Sequence, residues 1–325
     1  MISQGTARMV ERARSGSPRL PAQQPGMAFA LAALTAVVWG LLPLAMRRLV
    51  PLLDSATITC WRFGVAAIVV GLWLAARDEL PDLRRLKPAL RGLLALGVLG
   101  LTINYLFFVQ GVQLTTPAIA QTVAQLANIF LLLGGLVVFR ERFAPLQWLG
   151  FVLLVAGLAL FFNHRLPQLL AGGSGLALGV GLLTLGSLAW ACYGLIQKRL
   201  LREFQATQLL WLFYLGGTLV LLPFARPLRA LALAPLEAGS LAFCILNTIV
   251  GYGAYAEAMR RGEVARVSAT VTTAPLFTLV AGWLAVGWAP AFAAPEQPNG
   301  LSVIGACFVV AGCALCALGA TRRAT

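Results

Sequence analysis

Charge is scarce in this sequence: 11% of the residues are Asp, Glu, Lys or Arg, and only 11 residues are acidic. Soluble domains carry about 25% charged residues, so an ordinary water-soluble globule is excluded. Histidine occurs once, as His164, which excludes imidazole-rich metal centres and the H-E-x-x-H zinc motif. No apolar segment holds a pair of aspartates. The stretch Gly172-Gly173-Ser174-Gly175 fits a G-x-S-G pattern, yet its nearest base is His164 and no apolar segment supplies another. Hydrolysis through Ser174 therefore stands only as a rival to a non-enzymatic reading. Nothing calls for a cofactor or a metal. Cys60, Cys192, Cys244, Cys307, Cys313 and Cys316 all lie in apolar segments and read as small packing residues. The C-x-x-C of Cys313 and Cys316 lacks the second Cys pair or neighbouring His that a metal site needs.

In place of charge there are long apolar runs. The hydrophobic fraction is 59% and the mean hydropathy is +0.84. Runs with little or no charge recur at 27–46, 55–76, 90–110, 116–139, 144–162, 175–197, 206–225, 238–259, 267–287 and 300–319. Each is close to the ~20 residues that cross a ~30 Å hydrocarbon core as a helix. The runs are continuous rather than alternating, which selects helices over a β-barrel. The expected fold is thus an all-α membrane protein with ten transmembrane helices.

The net charge of +14 would suggest nucleic acid in a soluble protein. Here the basic residues lie between apolar runs, so the expected partner is the lipid bilayer and nucleic acid drops out. Counted over alternate loops, 19 Lys and Arg fall on one side and 5 on the other, with Arg62 inside a run. Positive residues stay on the cytoplasmic side, which places both termini in the cytoplasm of a multi-pass plasma (inner) membrane protein. Residues 1–26 are a basic, Ser- and Pro-containing tail expected to be disordered, and 320–325 form a short cytoplasmic tail.

The stretch 115–142 recurs, degraded, at 262–289, a shift of 147 that matches Ala127/Ala274, Phe130/Phe277, Leu132/Leu279 and Gly135/Gly282. Trp39 falls on Trp190 at a shift of 151, and Val155-Ala156-Gly157 on Val310-Ala311-Gly312 at 155. Two halves, 27–162 and 163–319, would each contribute five spans. An odd number of spans puts the halves in the membrane from opposite sides, an inverted repeat.

Trp39-Gly40, Trp61-Arg62-Phe63, the run from Thr115 through Asn128 to Arg140-Glu141-Arg142, Gly150 to Gly157, Ala189-Trp190 and Ala274-Pro275-Leu276-Phe277 resemble, in order and spacing, the drug/metabolite transporter superfamily of EamA type. The resemblance covers about 27–319. It implies a ten-helix inverted-repeat carrier that exports or imports amino acids, nucleosides or other small metabolites. An amino acid or related compound, exported, is the first expectation; a channel is the alternative within membrane transport. One departure is the stretch after the ninth run, Gly287-Trp288-Ala289-Pro290 and a Pro-rich loop, where relatives repeat a Gly-Glu turn.

Candidate solute-binding residues are polar or aromatic, near mid-span and matched between the halves. Gln121, Gln125 and Asn128 share one helical face, and Ser268, Thr272 and Pro275 stand at their shifted places. Tyr105 falls on Tyr252, and Phe108 on Tyr255. Trp39 and Trp190 sit too deep for the interfacial belt and suggest a cavity wall or gate. For each of these side chains interhelical packing is the competing reading. Pro275 is the expected hinge, since proline frees a carbonyl. Arg62 reads as a snorkelling or carbonyl-paired cation or as a contact for substrate charge. Glu257 reads as an ion pair with Arg260 and Arg261, or else as a weak coupling group. Gly175-x-x-x-Gly179 and the heptad-spaced Gly305, Gly312 and Gly319 suit close helix packing or a homodimer contact.

Overall fold

The computed structural model describes residues 24–82, 87–139, 144–164, 167, 175–262, 264–292 and 299–321. Every regular element among them is helical. The helices are α1 (Pro25–Leu49), α2 (Ser55–Ala75), α3 (Pro88–Leu114), α4 (Pro117–Val123), α5 (Leu126–Phe139), α6 (Pro145–Phe161), α7 (Gly175–Leu200), α8 (Ala206–Leu221), α9 (Pro235–Leu246), α10 (Tyr252–Arg261), α11 (Val264–Val271), α12 (Ala274–Trp288) and α13 (Gly300–Thr321). Seven helical stretches are long and apolar enough to cross a membrane, and three apolar helices are shorter. The basic tail up to residue 23, the Arg140–Arg142 turn and Ser174 lie outside the described residues.

Local sequence explains where helices begin. Proline occupies the first turn of α1, α3, α4, α6 and α9, where its missing N–H costs nothing. Asp54 caps α2 by accepting from Thr57 N at 2.8 Å, and Thr116 caps α4 by accepting from Ile119 N at 3.3 Å. Such caps contribute about 1 kcal/mol each.

Three of the apolar runs are not the continuous helices expected of them. The fourth breaks at Ala124–Gln125 between α4 and α5, and the ninth at Thr272–Thr273 between α11 and α12. Around each break the backbone tightens to bonds spanning three residues, Asn128 N to Gln125 O at 3.1 Å and Leu276 N to Thr273 O at 2.9 Å. Gln125 and Thr272 are 147 residues apart, the shift of the sequence repeat. Pro275 sits in the first turn of α12, just past the break. It therefore starts a helix rather than kinking one at its middle, as the sequence had suggested. The eighth run widens into a π-turn at Asn247–Gly251 between α9 and α10.

Several of the main helix contacts are exchanged between the two halves, while α11 packs on α13 without a comparable counterpart between α4 and α6. Helix α6 lies along α13, and α2 lies along α8. Helix α3 packs on α7 as α10 packs on α1, and α5 packs on α7 as α12 packs on α1. The α6–α13 pair is the tightest: a β-carbon on Gly305 would stand 2.6 Å from Gly157 O, and one on Gly150 would stand 2.6 Å from Gly312 O. The heptad glycines of α13 are thus filled from within the chain, and this stripe is not a free dimer face. Cys313 and Cys316 are buried free thiols of α13.

The apolar core is one body at one end and several at the other. At the end where α1 closes and α2 opens, Met46 and Leu49 (α1), Ile58 (α2), Val112 (α3), Ile119 (α4), Leu183 (α7) and Leu241 (α9) belong to a single cluster. Toward the opposite end the core divides. One cluster is built on Phe63, Leu101 and Phe213, another on Ala32, Ala258 and Val267, and another on Ile129, Leu154 and Val309.

Because the α6–α13 contact has no room for side chains, Gly305→Val should lower stability by about 1–3 kcal/mol through overpacking. Thermal unfolding in detergent checks this against Gly181→Val, a position where a β-carbon meets nothing within 4 Å.

Candidate functional site

The two helix breaks and the π-turn converge on one cavity of about 190 Å³. That is below the ~300 Å³ at which pockets for drug-sized molecules begin, so the site suits a small solute. Trp39, Tyr105, Gln121, Gln125, Asn128, Trp190, Tyr252, Tyr255, Ser268 and Thr272 all line it, and so do Arg62 and Phe108. Pro275 and Glu257 do not.

Each wall has a local cause. Breaking α4 from α5 brings Gln125 and Asn128 together, with Asn128 Nδ2 donating to Gln125 Oε1 at 3.0 Å and turned toward Cys313 Sγ at 3.7 Å. Across the cavity, Thr272 donates back to Ala269 O at 2.8 Å. Trp39 lies 5.2 Å from the Tyr252 ring and 5.7 Å from the Tyr255 ring, forming an aromatic wall. Gly251 makes that wall fit, because a β-carbon there would stand 2.5 Å from Trp39 Nε1. Trp190 belongs to a second group, 6.4 Å from Tyr193.

Helix α1 is held at this level from two sides. Pro43 lies inside α1 and leaves the Trp39 carbonyl without its helical donor. The flanking carbonyls receive outside donors, Val38 O from Asn247 Nδ2 at 2.5 Å and Gly40 O from Thr278 Oγ1 at 2.6 Å. These bonds anchor the tryptophan-bearing turn to α12 and to the π-turn.

Arg62 departs from the snorkelling expectation. It is 2% exposed, its Nε donates to Thr248 Oγ1 at 3.0 Å, and its guanidinium lies 4.5 Å over the Tyr105 ring. Its partners are a hydroxyl and an aromatic face in place of a backbone carbonyl. Among the described residues no carboxylate stands within ion-pair distance of it. The buried Tyr105 hydroxyl has the hydroxyls of Tyr252 and Thr248 beside it, and in the same lining the buried Asn247 Oδ1 has no hydrogen-bond partner. Glu257 instead sits at the end of α10, bonded to Arg260 Nε at 2.7 Å and Arg261 Nε at 2.5 Å. It takes part in the ion pair that the sequence suggested.

Three polar lining residues were not among the candidates from the sequence: Asn104, Ser187 and Asn247. Their signal was a single polar side chain in a membrane-length apolar run. The criterion of a polar or aromatic counterpart in the other half discarded them, since Asn104 and Asn247 fall on Gly251 and Gly100.

Comparison with known proteins adds to this geometry. The model of the EamA-like transporter family matches residues 26–163 and again 177–318. The chain is 38% identical over 302 residues to an uncharacterized transporter of Haemophilus influenzae, covering 91% of this chain and 96% of that protein. It is 38% identical over 303 residues to the uncharacterized inner membrane transporter YhbE of Escherichia coli, covering 91% and 93%. A probable amino-acid metabolite efflux pump of Salmonella typhimurium is 25% identical over 316 residues, covering 91% and 96%. A crystal structure at 20% identity superposes with a TM-score of 0.62 over 93% of this chain and the whole of that one, a likeness of fold alone.

A cavity at the level of broken helices should hold water. In a background without native cysteines, Asn128→Cys and Thr272→Cys should react with a small hydrophilic methanethiosulfonate at least tenfold faster than Leu154→Cys, whose site is fully buried. Equal rates at all three would mean that the cavity is dry.

Proposed function

Because the chain belongs to the EamA-like transporter family, we propose that this multi-pass inner-membrane transporter is an alternating-access carrier that exports a small amphipathic metabolite, an amino acid or a related compound. The observation that carries the proposal is a cavity lined from both halves, at two helix breaks one repeat apart, with one continuous apolar seal at one end only.

On this reading the ten helical segments are ten spans, grouped as 27–162 and 163–319 in inverted repeat. The helix contacts exchanged between the halves support it, because a pair of inverted halves can swap conformations and so open the same site to either face. The 19-to-5 distribution of basic residues supports cytoplasmic termini. The sealed end is then the outer one, and the divided end faces the cytoplasm. Lining by amides, hydroxyls and aromatic faces supports a solute with a flat apolar part and a few hydrogen-bonding groups. The name of the Salmonella relative, at 25% identity, supports an amino-acid-like cargo. The Ala124–Gln125 and Thr272–Pro275 segments serve as hinges, since backbone already out of regular helix changes dihedrals at low cost.

A continuous seal argues for a carrier over an open pore. Purified protein in liposomes preloaded with unlabelled amino acid should take up labelled amino acid by counterflow, transiently above equilibrium and saturably. A linear, non-saturating flux without overshoot would favour a channel.

Arg48 and Glu237 form an ion pair between α1 and α9 at the sealed end. It joins the two halves and would latch the outer gate. Glu237→Gln should therefore raise several-fold the rate at which an impermeant thiol reagent applied from outside modifies Thr272→Cys. The double exchange Arg48→Glu with Glu237→Arg should return the rate toward that of the native pair.

A further inference from the structure

We infer that Arg62 is the recognition group for a carboxylate on the solute, and that the cavity selects small monocarboxylates with an apolar or aromatic body. This rests on the proposed reading of the cavity as the transported solute's site, and it narrows that site's chemistry.

The argument begins with an uncompensated charge. A cation near mid-span is costly unless paired or hydrated, and Arg62 is 2% exposed with no carboxylate among the residues that line the cavity with it. A guanidinium offers a planar fork that matches a carboxylate with two parallel hydrogen bonds. Here Nε is committed to Thr248 Oγ1 at 3.0 Å and the plane is steadied over Tyr105 at 4.5 Å, so the Nη1–Nη2 end is the edge that can receive the anion. The buried Tyr105 hydroxyl has the hydroxyls of Tyr252 and Thr248 beside it, and a carboxylate oxygen beside Arg62 would give its own proton a charged acceptor.

The absences narrow the class further. Arg62 is the one cation among the lining residues, so a phosphate dianion would bring more charge than the site balances. No carboxylate in the lining is available to hold an ammonium. The amino group of an amino acid would at most donate to the unpartnered Asn247 Oδ1, which makes it dispensable. The Trp39–Tyr252–Tyr255 wall would take the apolar body of the solute.

The test uses four probes of similar size: 3-phenylpropionate, phenylalanine, phenylalaninamide and 2-phenylethylamine. Binding to the purified protein is read as an increase in apparent Tm, and transport as counterflow in proteoliposomes. Both acids should stabilise the protein, with apparent affinities at least tenfold above those of the amide and the amine. Arg62→Gln should erase that preference, Arg62→Lys should retain part of it, and Tyr105→Phe should weaken acid binding severalfold. If Arg62→Gln does not fold, Arg62→Lys and Tyr105→Phe carry the comparison. The inference is overturned if no acid binds at millimolar concentration, if the amide or amine binds as well as the acids, or if the acid preference survives at Arg62→Lys and Tyr105→Phe undiminished. Acid binding that depends on Arg62 without counterflow would uphold the inference and remove the carrier reading. Counterflow of a cation, undiminished by the Arg62 variants, would do the reverse.

Discussion

A chain that crosses lipid must satisfy every backbone N–H and C=O within its own segment, or else turn the irregular part toward protein or water. This constraint organises the molecule. The described spans leave regular α-helix at Ala124–Gln125, at Thr272–Thr273 and through the π-turn Asn247–Gly251, and residues from all three places face the same cavity. Pro43 adds a fourth irregularity, and its neighbouring carbonyls on α1 are met by Asn247 and Thr278. The weak places in four spans are thus gathered into one spot, where side chains and solvent can answer the exposed backbone.

The rest of the packing separates what is rigid from what can move. Helices α6 and α13 meet glycine to glycine, with backbone atoms where side chains would otherwise stand. Such an interface resists sliding, because any shift drives a Cβ-bearing neighbour into a carbonyl. The broken helices and α1 surround a hollow and are joined by polar bonds from Asn247 and Thr278 to α1 carbonyls, with one close backbone approach at Gly40 against Ala274 O. A fixed spine beside a softer, discontinuous wall is the mechanical arrangement that rocking of two halves requires, and it follows from where glycine and proline fall in the sequence.

Much of this was legible before the structure, for physical reasons. Apolar runs announce helices because no other continuous apolar segment can satisfy its backbone in lipid. Gln125, Asn128 and Thr272 stood out because an amide or hydroxyl in such a run needs a reason. The break at Thr272–Thr273 had a visible marker in Pro275. The break at Ala124–Gln125 had none, since neither residue is a helix breaker, and the π-turn was equally silent. Arg62 stood open between a snorkelling or carbonyl-paired cation and a contact for substrate charge, because depth along a helix axis says nothing about which face a residue occupies; on the cavity face, a long side chain has no need to reach for the surface. The heptad glycines of α13 revealed close packing but not their partner, because a smooth helix face fits a neighbour in the same chain as readily as a second copy.

Energetics connects the scarcity of acids to the direction of transport. Coupling to protons or sodium commonly uses a carboxylate near the midplane, and the cavity lining contains none, while Glu257 is held in an ion pair at the end of α10. If the solute is an anion recognised by Arg62, no such coupling is needed for export. An inside-negative potential contributes about 2.3 kcal/mol per charge at 100 mV, equivalent to a gradient of roughly fifty-fold at 1.36 kcal/mol per decade. A carrier with a single fixed cation and no titratable partner would let that potential expel a monoanion, and would oppose its uptake by the same amount. The charge that is missing from the site and the charge that is present would then determine the same direction of flow.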